Sequence, residues 1–258
     1  MKTFKSHDIK SRTGTAVLVG VLYLLGPLSG LMFLVFLFQG SYTVVDAGLD
    51  PFGALVLDAS LSLLFFLQHS MMVRGGIKKR LEKWIPETSY HAFYALCSIA
   101  VLLLLLFFWQ SIPVPVVSAH GVVYGLLRVL FFLCLIGFFR AVQSLDSLDV
   151  LGIDPLTGRQ QDKPLRVTVR GPYRWSRHPI YLLMIILIWL CPVLTPDRLL
   201  FNVLWSVWIV IGTFLEDRDL HRRFGQPYRE YSARVPMLFP FRPPAARSLE
   251  EHIHRISD

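Results

Sequence analysis

Long apolar runs constrain this chain more than any other feature of its sequence. Four of them contain about 20 residues or more: Thr15–Phe38, Phe52–Val73, Tyr90–Trp109 and Gly121–Val142. A helix rises about 1.5 Å per residue, so such runs can cross the hydrocarbon layer of a bilayer. The composition agrees, because 17% of the 258 residues are charged, against about 25% in soluble domains. The sequence therefore predicts an all-α polytopic membrane protein.

Two shorter apolar segments follow, Ile180–Val193 and Leu199–Leu215, with Thr195-Pro196-Asp197 between them. Pro192 and Pro196 are expected to end the first arm. The pattern predicts a tight helical hairpin that need not reach fully across the bilayer, and about six spans in total. We divide the chain into a four-helix transmembrane region (1–142), a core with a loop, the hairpin and a tail (143–240), and a flexible tail (241–258).

The basic residues indicate an orientation. Gln39–Pro51 and Gln110–His120 contain no Lys or Arg. The Lys and Arg residues concentrate before the first span, between spans two and three, between spans four and five, and after span six, and include Lys2, Lys79, Arg159, Lys163 and Arg166. This asymmetry predicts six crossings with both termini in the cytoplasm, in a bacterial inner membrane by default. The net charge of +8 is therefore explained without nucleic-acid binding.

Common cofactor signatures are missing from the sequence. Cys97, Cys134 and Cys191 lie within or beside apolar spans without paired spacing, which argues against a metal site. No GxGxxG, GxxxxGK[ST] or GxSxG motif occurs. Any cofactor site must therefore be built from helix ends and the loops between them.

Polar and aromatic residues concentrate in the C-terminal third. Arg170–Tyr181 reads Arg-Gly-Pro-Tyr-Arg-Trp-Ser-Arg-His-Pro-Ile-Tyr; it is followed by Glu216-Asp217, by Phe224–Tyr231 and by Val235-Pro236. Polar groups are costly beside hydrocarbon and occur where function needs them. This third of the chain is the predicted functional region.

These segments resemble the isoprenylcysteine carboxyl methyltransferase family, integral membrane enzymes that use S-adenosylmethionine. Gln68–Arg74, Tyr94 and Phe108–Gln110, together with Leu148–Gly152, are similar to the subgroup of methanethiol S-methyltransferases, NnrU-type proteins and nurim. The resemblance implies an S-adenosylmethionine-dependent methyltransferase that acts on a small or lipophilic thiol such as methanethiol.

The resemblance also implies a set of cofactor-binding residues: Gly171, Tyr173, Arg177, His178, Pro179, Tyr181, Glu216, Asp217, Tyr228 and Tyr231. Glu216 can accept hydrogen bonds from the cofactor's ammonium or ribose hydroxyls. The helix that begins at Pro179 favours an anion at its N-terminus. Alternatives remain: the arginines can anchor the chain to lipid phosphates, the aromatic residues can form an interfacial belt, and the acidic pair can be a solvated helix end.

His69 and Gln68 form a second predicted centre near the end of span two. A neutral imidazole can take the proton of a thiol acceptor, so we predict a catalytic role for both residues. A structural histidine and a haem ligand are the alternatives. Asp58 and Arg128 lie at similar depths in spans two and four and are predicted to form a structural ion pair.

Three functions from different classes therefore remain open. The first is the methyltransferase, with a small lipophilic thiol and membrane lipid as its partners. The second is an NnrU-type haem-linked membrane protein, and the third is a nurim-like non-catalytic membrane protein. The intact Arg-His-Pro-Ile-Tyr and Glu-Asp pattern favours the first.

Overall fold

The computed structural model describes residues 4–74, 78, 80–81, 83–145, 149–158, 167–246 and 248–255, without the side chains of residues 4–13, 254 and 255. Lys2, Lys79, Arg159, Lys163 and Arg166, on which part of the orientation depends, lie outside the described residues, as does Leu148 of the family resemblance.

Within these residues, five helices are long and apolar enough to span a membrane, counting only Gly14–Gln39 of the first. They are α1 (Phe4–Gln39), α2 (Pro51–Val73), α3 (Glu87–Phe108), α4 (Gly121–Gln143) and α7 (Pro196–Phe224). The shorter elements are α5 (Asp154–Thr157), a 3₁₀ helix (Gly171–Arg174), α6 (Pro179–Trp189), α8 (Gln226–Arg234), α9 (Ser248–Arg255), β1 (Val117–Ser118) and β2 (Val193–Leu194). The prediction of a mostly helical, polytopic membrane protein is confirmed.

The predicted hairpin consists of two unequal arms. The apolar helix α6 has 11 residues and rises about 16 Å, so the helix by itself covers only about half of the hydrocarbon layer. The second arm, α7, has 29 residues. Its apolar part ends near Leu215, and the charged stretch from Glu216 to Phe224 extends the helix beyond the span. The connection between the arms contains β2, which pairs antiparallel with β1.

The chain divides into two compact units. Unit 1 comprises residues 1–36, 41–111 and 149–162; unit 2 comprises residues 37–40, 112–148 and 163–258. This division groups α4 with the C-terminal region, whereas the sequence grouped it with the first three spans.

Unit 1 is built on the packing of α2 against α3. Asp50 caps α2, because its carboxylate accepts a hydrogen bond from the N–H of Gly53. A buried cluster joins Leu22 of α1 to Ala92, Ala95 and Ile99 of α3 and to Ile153.

A close approach in unit 1 requires glycine at position 152. Gly152 has a φ of +64°, and a Cβ there would lie 2.3 Å from the carbonyl carbon of His91 and 2.5 Å from the nitrogen of Ala92. The segment before α5 can therefore press against the first turns of α3 only if residue 152 lacks a side chain.

Unit 2 contains α4, α6, α7 and α8. Helix α6 packs against both α4 and α7, and α8 packs against α7. Arg198, in the first turn of α7, is fully buried. Its Nη2 donates to the carbonyls of Leu37 and Ile188, each at 3.3 Å, in the last turns of α1 and α6. One guanidinium thus satisfies carbonyl groups that two helix ends leave without intrahelical partners.

The C-terminal segment differs from the flexible tail that the sequence predicts, over the described residues 241–246 and 248–255. Ala245, and Leu249 and Ile253 of α9, are buried in a cluster with Tyr228, Tyr231, Val235, Val167 and Val169. Arg174 also bonds this segment twice: its Nε donates to the carbonyl of Ala245, at 2.6 Å, and its carbonyl accepts from the N–H of Ala245, at 2.9 Å. The two apolar residues are four apart on one face of α9, which explains why so short a helix packs.

Candidate active site

Asp217 lies at the centre of the polar cluster in unit 2, just beyond the apolar part of α7. Its Oδ1 accepts hydrogen bonds from the hydroxyl of Tyr228, at 2.7 Å, and from Nε2 of His178, at 3.2 Å. Its Oδ2 pairs with Nη2 of Arg177 at 3.3 Å and lies 3.6 Å from Nδ1 of His221. Because both carboxylate oxygens have protein partners, Asp217 connects the loop before α6, α7 and α8.

The backbone of the Arg177-His178 pair is held by the tail. The N–H of Arg177 donates to the carbonyl of Pro236, at 3.0 Å, and the N–H of His178 donates to that of Met237, at 3.1 Å. The hydroxyl of Ser176 also donates to the Met237 carbonyl, at 3.0 Å. These bonds hold the backbone so that both side chains face Asp217. Because Nε2 of His178 lies beside the carboxylate, we place the ring proton on Nε2.

Glu216 extends from the adjacent position on α7 and is exposed. The hydroxyl of Tyr181 donates to Oε2 of Glu216. The Tyr181 ring stacks on the His178 ring, with centroids 5.7 Å apart and planes inclined by 19°. One carboxylate of the acidic pair is therefore enclosed by protein donors, whereas the other faces outward beside the first turn of α6.

Gly171, Tyr173 and Tyr231 form the frame around this cluster. Gly171 has a φ of +58°, and a Cβ there would lie 2.8 Å from Oγ of Ser144. The Tyr231 hydroxyl donates to the carbonyl of Tyr173 at 2.7 Å, and both tyrosines are buried. Tyr231 and Tyr173 therefore stabilise the loop, and their predicted contact with the cofactor stays a prediction.

The cluster shifts the acid–base equilibria of its members. Burial acts to raise the pKa of the Asp217 carboxyl, but hydrogen bonds from His178 and Tyr228 and the charge of Arg177 outweigh it, so this pKa is lowered. Burial raises the pKa of the Tyr228 phenol, and its bond to Asp217 raises it further. At neutral pH the carboxylate is therefore ionised and the phenol is a hydrogen-bond donor.

An apolar groove adjoins the cluster. It has a volume of about 360 Å³ and is lined by Gly137, Pro172, Trp175, Ser176, Pro179, Leu182, Leu183 and Pro240. This volume lies at the lower end of the range for small-ligand pockets. Ser176 and Pro179 flank the Arg177-His178 pair in sequence, so apolar volume lies beside the polar groups.

His69 and Gln68 lie in unit 1, on the face of α2 that contacts α3. The hydroxyl of Tyr94 lies 2.9 Å from Nδ1 and 3.1 Å from Nε2 of His69. Nε2 of Gln68 donates to Oγ of Ser98, at 3.2 Å, and to Sδ of Met72, at 3.3 Å. Their predicted catalytic roles stay predictions.

Asp58 and Arg128 have partners within their own units. Oδ1 of Asp58 accepts from the N–H of Gln110, at 2.9 Å. Arg128 donates to the carbonyl of Phe38 and to the hydroxyl of Tyr124, and its guanidinium lies 4.0 Å from the centroid of the Phe38 ring. The predicted ion pair between Asp58 and Arg128 stays a prediction.

A family model described as "NnrU protein" matches residues 58–239. The chain belongs to the NnrU family. The match includes Gln68 and His69 of unit 1 and the whole Asp217 cluster of unit 2.

Several curated relatives are similar over most of this NnrU-family chain. Methanethiol S-methyltransferase 2 of Bradyrhizobium diazoefficiens is 31% identical over 218 residues, which cover 79% of this chain and 82% of the relative. Methanethiol S-methyltransferase of Pseudomonas sp. (strain GM41(2012)) is 35% identical over 193 residues, 73% of this chain and 74% of the relative. Nurim of Xenopus laevis is 26% identical over 190 residues, 63% of this chain and 61% of the relative. No solved structure matches the chain.

Sequence reasoning did not select His221 as a site residue of this NnrU-family protein. Nδ1 of His221 lies 2.9 Å from the Asp217 carbonyl, Nε2 lies 3.1 Å from Oγ of Ser232, and the ring meets that of Tyr228 edge-on at 4.7 Å. The spacing of four residues from Asp217 on one helix was a signal that could have identified it.

Proposed function

We propose that this protein is an integral membrane methyltransferase that uses S-adenosylmethionine to S-methylate a small or lipophilic thiol such as methanethiol. The observation that supports the proposal most is the Asp217 cluster, which fixes Arg177 and His178 beside the exposed Glu216. The two methanethiol S-methyltransferases described above, each similar to more than 70% of the chain, support the same reaction. The polar end of α7 and both termini then face the cytoplasm, as the basic loops predict.

The residues present fit the chemical groups of S-adenosylmethionine. The cofactor carries an ammonium, a sulfonium, a carboxylate, two ribose hydroxyls and an adenine ring, and when bound it supplies an electrophilic methyl group. Glu216 provides an exposed negative charge for the cationic or hydroxyl groups. For the carboxylate, Nε of Arg177 is buried and has no hydrogen-bond partner among the described residues. The first turn of α6 adds N–H groups that the helix itself cannot satisfy.

The other residues of the cluster keep these groups in position. Asp217 neutralises Arg177 and orients His178, so neither side chain has to reorganise when a ligand binds. Tyr228 holds Asp217 from α8, and Tyr231 holds the loop at Tyr173. Gly171 begins the 3₁₀ helix and Pro179 begins α6, so these two residues bracket the segment that carries Arg177 and His178. We therefore assign Arg177, His178, Tyr181 and Glu216 to the cofactor, and the remaining residues to its support.

The thiol acceptor must reach the site and lose its proton. A small apolar thiol partitions into the bilayer, which explains why such an enzyme would lie in a membrane. We assign His69 as the base that takes the thiol proton, with Gln68 beside it. Positioning and removal of water from the nucleophile then supply most of the rate enhancement.

Calorimetric titration of S-adenosylmethionine into the purified protein in detergent tests the cofactor assignment. We expect micromolar binding that Glu216→Gln weakens at least tenfold, because the variant removes the exposed negative charge. Asp219→Asn is the matched control: it removes a carboxylate from the same helix, where Asp219 is 61% exposed and pairs only loosely with Arg222, at 3.5 Å. Formation of dimethyl sulfide from methanethiol, measured by headspace gas chromatography, then tests the acceptor.

Two results would contradict the proposal. One is a folded protein that does not bind the cofactor; an absorption spectrum with a Soret band would then favour the haem-linked alternative. The other is equal weakening of cofactor binding by Glu216→Gln and Asp219→Asn, which would show that Glu216 has no specific role.

A further inference from the structure

Polar side chains of α2 and α3 meet inside unit 1, and the mechanism above uses only Gln68 and His69 of α2. We call Gln68, His69, Tyr94 and Ser98 the α2–α3 polar ladder. Gln68 donates to Ser98 at 3.2 Å, and the Tyr94 hydroxyl lies within 3.1 Å of both ring nitrogens of His69. The ring of Phe65 stacks on His69, with centroids 5.4 Å apart. Polar groups in a membrane span that pair across helices indicate a functional site.

Within the described residues, one polar atom of the ladder lacks a hydrogen-bond partner. Oε1 of Gln68 is buried and makes no hydrogen bond among the described residues. Exchanging the oxygen and nitrogen of the amide would only leave the donor unpaired in place of the acceptor. A buried unpaired amide atom is costly, so a small ligand that can donate or accept would bind here favourably. A sulfhydryl group can do both, although weakly.

The geometry of Tyr94 suits a histidine that changes protonation. Its hydroxyl lies 2.9 Å from Nδ1 and 3.1 Å from Nε2 of His69. A phenol can donate to an unprotonated ring nitrogen and accept from a protonated one. Tyr94 can therefore remain hydrogen-bonded to the imidazole and to the imidazolium.

We propose that the α2–α3 polar ladder binds a small neutral sulfhydryl compound, and that Tyr94 is a positioning residue for His69. On binding, the thiol donates its single hydrogen to Oε1 of Gln68, and it then transfers this hydrogen as a proton to the imidazole of His69. The S–H bond breaks, an N–H bond forms on the imidazole, and the electron pair stays on sulfur. This inference rests on the proposed thiol methylation and names the acceptor site for it.

Other titratable groups occur near the ladder on the helices packed around it. Within the described residues they include Tyr90, His91 and Cys97 on α3 and Arg74 at the end of α2, and Nζ of Lys78 lies 5.8 Å from the centroid of the Tyr90 ring. Tyr90 provides a control for Tyr94, because its hydroxyl donates to the carbonyl of Met72 on α2, at 2.7 Å. It lies one helical turn before Tyr94 and also links α3 to α2, but does not touch His69.

The first experiment compares Tyr94→Phe with Tyr90→Phe, each of which removes one hydroxyl from the same helix. For methanethiol methylation, we expect Tyr94→Phe to move the acidic limb of the pH profile of kcat/KM by about one pH unit, the size expected when a charged group loses one hydrogen bond. Tyr90→Phe should lower thermal stability and leave that limb in place. An unchanged limb in Tyr94→Phe, or equal shifts in both variants, would overturn the role of Tyr94.

A second measurement does not require turnover. Ring nitrogen-15 NMR of the histidine-labelled protein in detergent, with His69→Gln to assign the signal, follows His69 as methanethiol is added. We expect a saturable change in the His69 signal that Gln68→Leu weakens at least fivefold. No change on adding methanethiol would overturn the site. A wild-type protein that shows this change and binds S-adenosylmethionine, but forms no dimethyl sulfide, would contradict the proposed function and leave the binding site supported.

Discussion

Replacement of Asp217 by Asn tests the reasoning about the polar cluster most directly. The substitution keeps the shape of the side chain but removes the charge that Arg177 and His178 face. Both members of the Asp217–Arg177 pair are largely buried, with side chains 13% and 10% exposed. Solvent therefore screens the interaction little, and the variant leaves a cation in a confined position without its partner.

The expected cost follows from the contacts. Removing one member of a buried ion pair typically costs about 3–5 kcal/mol, because the remaining charge is uncompensated. Tyr228, whose hydroxyl lies 2.7 Å from Oδ1, can still donate to an amide oxygen. We therefore expect the lower half of that range, about 3–4 kcal/mol, which corresponds to a fall of roughly 10 °C in the unfolding midpoint of a chain of this size.

The cysteines of the protein can be used to measure its unfolding midpoint. Its cysteines are free; Cys134 and Cys191 are buried and Cys97 is partly buried. A thiol-reactive fluorescent dye therefore follows unfolding in detergent as these groups become accessible. Asp219→Asn, the control on the same helix, removes an exposed charge and should leave the midpoint unchanged.

The pH dependence provides an independent check. The pKa of Asp217 is lowered in the folded protein, so its carboxylate stabilises the fold above the ordinary aspartate value, about 3.9. That contribution is lost as the pH falls through the lowered folded value. The difference in midpoint between the wild type and Asp217→Asn should be constant from about pH 5 to 7 and should shrink below about pH 4. Equal midpoints at pH 7, or a difference that grows in acid, would refute the argument.

Two further predictions concern packing, with thermal unfolding in detergent as the measurement. Gly152→Ala should lower stability by about 2–4 kcal/mol, because its positive φ disfavours a side chain and its Cβ would clash with the backbone of His91. Gly158→Ala is the control: its φ is +69°, but no atom lies within 4 Å of the added Cβ, so it should cost only about 1 kcal/mol. Equal effects would show that the close approach is absent. Leu249→Ala should cost about 2–5 kcal/mol, because Leu249 is 1% exposed, whereas Glu251→Ala, at an exposed position of the same helix, should cost less than about 1 kcal/mol. An unchanged midpoint in Leu249→Ala would support the flexible tail that the sequence predicted.

The sequence located the spans because their signal is local. Four predicted spans agree with helices of the structure to within a few residues, apart from the N-terminal extension of α1. The hairpin was less accurate: α6 ends at Trp189, before the predicted end at Val193, and α7 continues to Phe224. Apolar periodicity does not show where a polar helix continues beyond the bilayer, and the charged stretch after Leu215 reads equally well as loop or helix.

The sequence by itself determined the class of the protein, the positions of its spans and most residues of its candidate site, because hydrophobicity and motif spacing are properties of short segments. Only the tertiary structure assigned partners within that site. Asp217 receives bonds from residues 39 positions before it and 11 after it, and nothing local distinguishes this enclosed carboxylate from the exposed one of Glu216. The burial of α9 was equally hidden, because two apolar residues in a short charged segment pack only when another surface is there to receive them.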